Sequence, residues 1–279
     1  WVEPAEGGFA MPSAAKSQRS YRSRNELLVG TDFGADGSCL TDSGYPRVIR
    51  SWKRGTALDE AVTVFEGEQT DIVVTQQAYH DRGFIHEVQE RCITFYTSAY
   101  RYRRLDSKKL VEFTAAEETT PFLPVPIPED ASFGTFADVA LIKLRSDWKP
   151  PGLETTFLSG ALLAAPLEEV MKDTWQSITP LFEPTDAKSL SGTTETKDYV
   201  VLTVLEDVRT KLVFWKYSAG VWELQVGSSG DAVAVGETVE VQSLDRSNDA
   251  DNMLWLTRSG FLVPDTLELG SATDGCVST

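Results

Sequence analysis

Apolar residues in this chain gather in short runs, rich in Val, Ile, Leu, Thr, Phe, Tyr and Trp and separated by turn residues, a pattern of β-strands rather than helices. Residues 27–31 are apolar, residues 32–37 (Asp-Phe-Gly-Ala-Asp-Gly) supply turn chemistry, and residues 47–52 alternate charged with apolar side chains. This predicts a hairpin with one half-buried strand. A strand is predicted over 62–65, ended by Glu66-Gly67-Glu68, and another opens at 71–75. Residues 88–105 predict two strands joined around Thr97-Ser98, with a weaker third at 109–113. Four prolines within 121–128 fit an edge strand or an extended connector and exclude a central strand, because proline cannot donate to the ladder.

Strand patterning resumes at 137–144, 157–165 and 178–182. It is interrupted by one helical turn at 166–174, where Pro166 leads and Glu168 and Glu169 occupy the first turn. The clearest meander is 199–205, 211–217 and 221–226; a last group covers 237–244, 252–257 and 266–269, with Ser259-Gly260 as the bend. The predicted strands fall into clusters of about four that recur at roughly 45 to 60 residues, a spacing in the range of propeller blades. A small twisted sheet cannot bury both faces alone and needs neighbours on either side. The expected fold class is therefore all-β, a β-propeller of four-stranded antiparallel blades, with about five blades in residues 1–279 as one partial propeller domain. A β-sandwich is the competing architecture, although it more often ends within about 100 to 200 residues.

Composition narrows the function. At 279 residues with 41% hydrophobic and 24% charged residues, the chain can bury a sizeable core. A net charge of -16 repels phosphate backbones and anionic headgroups, so neither nucleic acid nor membrane insertion is expected. No apolar stretch approaches the roughly 20 residues that span a bilayer, and no signal peptide is visible at the start. Cys39, Cys92 and Cys276 are few, odd in number and far apart, which disfavours a disulfide framework or a zinc pattern. A reducing, cytoplasmic setting is the expectation.

Catalytic signatures are missing from the pattern. His80 and His86, the two histidines, sit in no metal or catalytic motif and read as surface or loop residues. A Gly-x-Ser-x-Gly elbow is absent; Gly227-Ser228-Ser229-Gly230 has the wrong spacing and reads as a turn. No P-loop occurs, and Cys39 reads as a passive loop thiol. Paired carboxylates such as Glu117-Glu118, Glu168-Glu169 and Asp249 with Asp251 are expected as solvated faces in so acidic a chain, and glycoside hydrolysis would need two carboxylates across a cleft. Neither catalytic residues nor a cofactor or metal is expected here.

The stretch Leu27-Leu28-Val29-Gly30-Thr31-Asp32-Phe33-Gly34, then Leu40-Thr41-Asp42-Ser43-Gly44-Tyr45-Pro46-Arg47 and Trp52-Lys53-Arg54-Gly55-Thr56, resembles the propeller of the prolyl oligopeptidase family, most closely its bacterial-type branch. Gly7-Gly8-Phe9 with Pro12 upstream is similar to that branch too, as are Leu144-Arg145-Ser146-Asp147-Trp148, Leu181-Phe182-Glu183-Pro184-Thr185 and Ser259-Gly260-Phe261-Leu262 downstream. Ala57, the turn at 36–39 and an irregular tract at 13–24 depart from the family pattern.

The resemblance implies a two-part peptidase, in which a seven-bladed propeller caps an α/β-hydrolase domain carrying a Ser-Asp-His triad that cleaves short peptides after proline. It implies that this chain is the later part of such a propeller, with no triad residue of its own and with short peptides and the hydrolase domain as partners. Asp32, Tyr45, Arg47 and Arg54, polar residues of the matched loops, are the candidates for facing that domain or the channel; the competing role is local bonding within turns and sheets. The alternative function is a divergent propeller serving as a protein-interaction or scaffold subunit of a larger complex.

Overall fold

A computed structural model describes residues 2–3, 6–12, 14–34, 36–105, 120–225, 236–245, 247 and 250–275. The predicted strand at 109–113, Glu117-Glu118, the turn at 227–230, Asp249 and Cys276 lie outside the described residues. Those described form five antiparallel sheets, each a meander in which every strand pairs with its sequence neighbours. The chain divides into two compact units, Trp1–Ala131 and Ser132–Thr279.

Two four-stranded sheets make up the first unit: β1 (Gln18–Ser23), β2 (Glu26–Gly30), β3 (Val48–Lys53) and β4 (Val62–Glu66), then β5 (Val73–Asp81), β6 (Phe84–Cys92), β7 (Ser98–Leu105) and β8 (Leu123–Pro124). All five residues of β2 are buried, because this strand is covered on both faces. Leu28 and Ile49 point one way and meet Val74 and Ala78 of β5; Leu27, Val29 and Trp52 point the other way under Phe9, Phe33 and Leu58. Each fully buried side chain of this size contributes about 1.5 to 3 kcal/mol of transfer free energy, so sheet stacking rather than strand pairing alone stabilises the blade. The turn from β5 to β6 is Arg82-Gly83, with φ of 48° and 87°, the paired left-handed conformation that matches strand twist and that glycine adopts without strain.

The second unit begins with β9 (Ser132–Phe136), β10 (Val139–Lys143), β11 (Leu162–Pro166) and β12 (Thr179–Phe182), with a single helical turn α1 (Leu167–Val170) after β11. It continues with β13 (Lys188–Glu195), β14 (Tyr199–Glu206), β15 (Arg209–Ser218) and β16 (Val221–Leu224), and then a three-stranded sheet of β17 (Glu237–Ser243), β18 (Met253–Gly260) and β19 (Thr266–Ser271). Tyr199, Val201, Leu212 and Phe214 from one sheet pack with Val239, Val241, Leu254 and Leu256 from the next. Stacked four-stranded meanders of this kind are the blades of an all-β propeller.

Several predicted boundaries shift. The tract 13–24, expected to be irregular, contains β1, a strand whose Arg22 is held by the partners described below. Of 157–165 only the end is strand, since Phe157 instead bridges to Trp148. The helical turn is shorter than 166–174 because Asp173 takes a φ of 53° and the chain leaves the helix. Ser259 and Gly260 continue β18 rather than bending it. The proline-rich segment forms β8 at a sheet edge, as its missing donors require.

Candidate functional site

Of the four sequence-predicted loop residues, three hydrogen-bond to neighbouring turns and strand ends. Asp32 accepts the Gly37 amide at 3.1 Å, closing its own turn. Arg47 pairs with Glu66 and donates to the Ser38 carbonyl at 3.0 Å and the Gly67 carbonyl at 3.3 Å, so it staples the 38–47 loop to β4. Arg54 donates to the carbonyls of Arg24 at 2.8 Å and Gly7 at 3.2 Å and lies over the Phe9 ring. Tyr45 is 41% exposed and carries the Lys16 ammonium 4.1 Å over its ring. They are therefore spread over separate turns rather than gathered at one centre.

A buried ionic cluster that sequence reading missed does converge. Alternation along the strands points Arg22 of β1, Glu26 of β2 and Ser51 of β3 toward the face covered by the second sheet, where Gln76, Glu87, Gln89 and Arg103 point back. Glu87 is fully buried. Its carboxylate accepts Arg22 Nε at 2.5 Å on one oxygen and Arg103 Nε at 2.5 Å on the other. Arg22 also donates to Glu26 at 3.0 Å, Glu26 accepts the Ser51 hydroxyl, and Arg103 Nη1 reaches the Thr120 carbonyl at 2.8 Å. Burial works against the charge on Arg22, but the adjacent Glu87 and Glu26 outweigh it and raise its pKa, so the guanidinium stays charged. A carboxylate this deep is tolerated only because both its oxygens take charge-assisted bonds.

This cluster forms one wall of a cavity of about 570 Å³ within the first unit. Arg22, Glu26, Ser51, Gln76 and Arg103 supply the polar wall; Val62, Val64, Pro121 and Phe122 supply an apolar one, and Lys53, Thr56, Glu60 and Thr120 complete the lining. Phe122 stacks on the Arg103 guanidinium, 4.3 Å from its ring centroid. Chemically the wall can bind and orient, but Ser51 donates to Glu26 and no histidine lines the space to take its proton.

The histidines divide. His80 is exposed on β5, whereas His86, expected on the surface, is fully buried on β6 with Nδ1 2.8 Å from the Tyr102 hydroxyl. Burial raises the Tyr102 phenol well above its ordinary value, so it stays protonated. No signal in the sequence distinguished the two: His80 shares the face of Val74, Gln76 and Ala78 yet is exposed near the end of β5, whereas His86, opposite Tyr79 on the other face, is covered by tertiary packing.

Meander sheets of four strands stacked face to face place the chain among the β-propellers. More narrowly, the chain resembles the N-terminal propeller of the prolyl oligopeptidase family over nearly its whole length. It is 30% identical over 275 residues to an uncharacterized peptidase of Sinorhizobium fredii, covering 97% of this chain and 35% of that protein. An uncharacterized peptidase of Rickettsia prowazekii is 25% identical over 186 residues, 66% of this chain and 24% of its own length. Among solved structures, a post-proline cleaving enzyme from Rickettsia typhi superposes with a TM-score of 0.76 at 20% identity, over 94% of this chain and 36% of that one. Oligopeptidase B from Leishmania major gives a TM-score of 0.61 at 13% identity, over 94% and 33%. No family model matches the chain. The chain thus spans about a third of the length of the relatives it matches most fully. No helix among the described residues is long and apolar enough to cross a membrane.

Proposed function

We propose that this chain is the non-catalytic propeller portion of a prolyl oligopeptidase-type serine peptidase, admitting short peptides and excluding folded proteins from a Ser-Asp-His site on an α/β-hydrolase domain. The observation that carries this reading is the match of almost the whole chain to about one third of known or inferred peptidases. The physical role follows from rigidity: stacked blades hold an aperture of fixed size, which selects small flexible substrates before any chemistry occurs. In this reading residues 1–279 are all propeller, the hydrolase domain is the principal partner, the setting is cytoplasmic, and Asp32, Tyr45, Arg47 and Arg54 belong to loops facing that domain or the channel.

The test is to sequence the complete transcript, express its product and treat it with a serine-directed fluorophosphonate. The probe is expected to label a serine in a Gly-x-Ser-x-Gly elbow outside residues 1–279, and the product to cleave short proline-containing peptides but not folded proteins. Labelling within residues 1–279, or a transcript without a hydrolase domain, would overturn the reading.

A further inference from the structure

The cavity beside Glu87 has a chemistry of its own. Its lining holds three cationic side chains, Arg22, Lys53 and Arg103, against two acidic ones, Glu26 and Glu60, within a chain whose net charge is -16. Most of these charges are committed. Arg22 and Arg103 clasp Glu87, Glu26 accepts from Arg22 and Ser51, and Glu60 accepts the Ala57 amide at 3.2 Å. Among the described residues Lys53 alone of the five has a side chain with neither a hydrogen bond nor an ion pair, and Glu60 has only the neutral Ala57 amide. Across the same cavity, Val62 and Val64 are 67% and 38% exposed, on alternate positions of β4, with Phe122 beside them.

We propose that this cavity binds a small organic carboxylate carrying one apolar group, with the carboxylate at Lys53 and the apolar group against Val62, Val64 and Phe122. Its volume falls in the range of about 300 to 1,000 Å³ typical of small-ligand sites. An ammonium ligand would find Glu26 taken by Arg22 and Ser51 and only Glu60, which already accepts the Ala57 amide, whereas an anion finds the Lys53 ammonium with no partner; a purely apolar ligand would strip water from the Arg22, Gln76 and Arg103 wall without replacing its bonds. Two sources present this chemistry, a free fatty or aromatic carboxylate and the C-terminus of a peptide ending in an apolar residue. Nothing in the site depends on peptidase chemistry.

The experiment is calorimetric titration of the 279-residue chain with hexanoate, hexylamine, N-acetyl-alanyl-leucine and the C-terminal amide of that peptide. Saturable binding of hexanoate or of the peptide acid is expected, with the amine and the amide at least about tenfold weaker. Hexanoate binding alone assigns the site to free carboxylates; binding of the peptide acid alone assigns it to peptide termini. Lys53→Glu is expected to weaken the bound acid about tenfold or more. Val64→Asp should weaken it as well, and since both positions are exposed, unchanged thermal unfolding separates lost binding from lost fold. Equal binding of the amine, no saturable binding by either acid, or an unaffected Lys53→Glu variant with intact fold would overturn the proposal.

Discussion

Arg22 on the first sheet and Glu87 on the second are joined by a 2.5 Å bond between groups that are 4% and 0% exposed, so one blade closes an ionic cluster inside the next. Arg103, on the strand beside Glu87, holds the other carboxylate oxygen. Replacing Glu87 with Gln removes the counter-charge that two buried guanidiniums share, although Arg22 keeps Glu26, and a loss of about 3 kcal/mol is expected in urea unfolding, because breaking a buried pair exposes the desolvation cost of the survivors. The quadruple variant Arg22→Met, Glu26→Gln, Glu87→Leu, Arg103→Met removes every charge of the cluster together and is expected to lose less than Glu87→Gln does. An equal or larger loss would show that the pairing itself, not the uncompensated charge, dominates.

Asp71 is 1% exposed and receives two bonds from Arg91, at 2.7 and 3.0 Å, besides the Glu68 amide at 2.8 Å. Burial would push its carboxyl pKa up, but the Arg91 bonds and the amide prevail and hold it below the ordinary carboxylate value. The sign follows from linkage. The unfolded chain binds the proton first as pH falls, so the stabilisation is complete above the unfolded carboxylate pKa and disappears as pH drops through the folded one. Acid unfolding followed by circular dichroism should show Asp71→Asn with a shallower acid-side loss than the parent. At neutral pH the variant should be less stable by about 2 kcal/mol, the scale of hydrogen bonds to a charged group.

Asp207-Val208 forms the turn between β14 and β15 with φ of 47° and 66°, and Val208 is 89% exposed. A β-branched residue in the left-handed region is strained, and at this exposure the side chain gains little packing in return. Val208→Gly is expected to raise stability by about 1 kcal/mol, read as a higher unfolding midpoint. A lower midpoint would mean that the entropy of the unfolded glycine outweighs the relieved strain.

In the second unit Phe214 is fully buried between two sheets, packed in a cluster with Leu254 and Leu256. Phe214→Ala should cost about 4 kcal/mol, the range of large-to-small core changes, whereas Phe214→Leu should cost far less because it refills most of the space. Chemical denaturation of the two variants side by side distinguishes a cavity effect from general sensitivity of the sheet.

How much was legible in the chain depended on whether a strand advertises itself by apolar content. β2, with the sequence Glu-Leu-Leu-Val-Gly, and β14, with Tyr-Val-Val-Leu-Thr-Val-Leu-Glu, were readable because hydrophobic burial is written in residue type. β1 and β13, Gln-Arg-Ser-Tyr-Arg-Ser and Lys-Ser-Leu-Ser-Gly-Thr-Thr-Glu, were not, since polar sequences become strands here through ladder bonds to neighbours. The loop candidates Asp32, Arg47 and Arg54 were chosen for their polarity, yet their bonds run to nearby turns and strand ends, and that commitment is invisible along the sequence.

By itself the sequence determined an all-β chain of recurring meanders, because alternation and turn residues act over a few positions. Only the tertiary structure decided that Arg22, Glu87 and Arg103 share one buried site: they lie 65 and 16 residues apart from Glu87, and a charge can stay in the interior only once folding has brought its partner there.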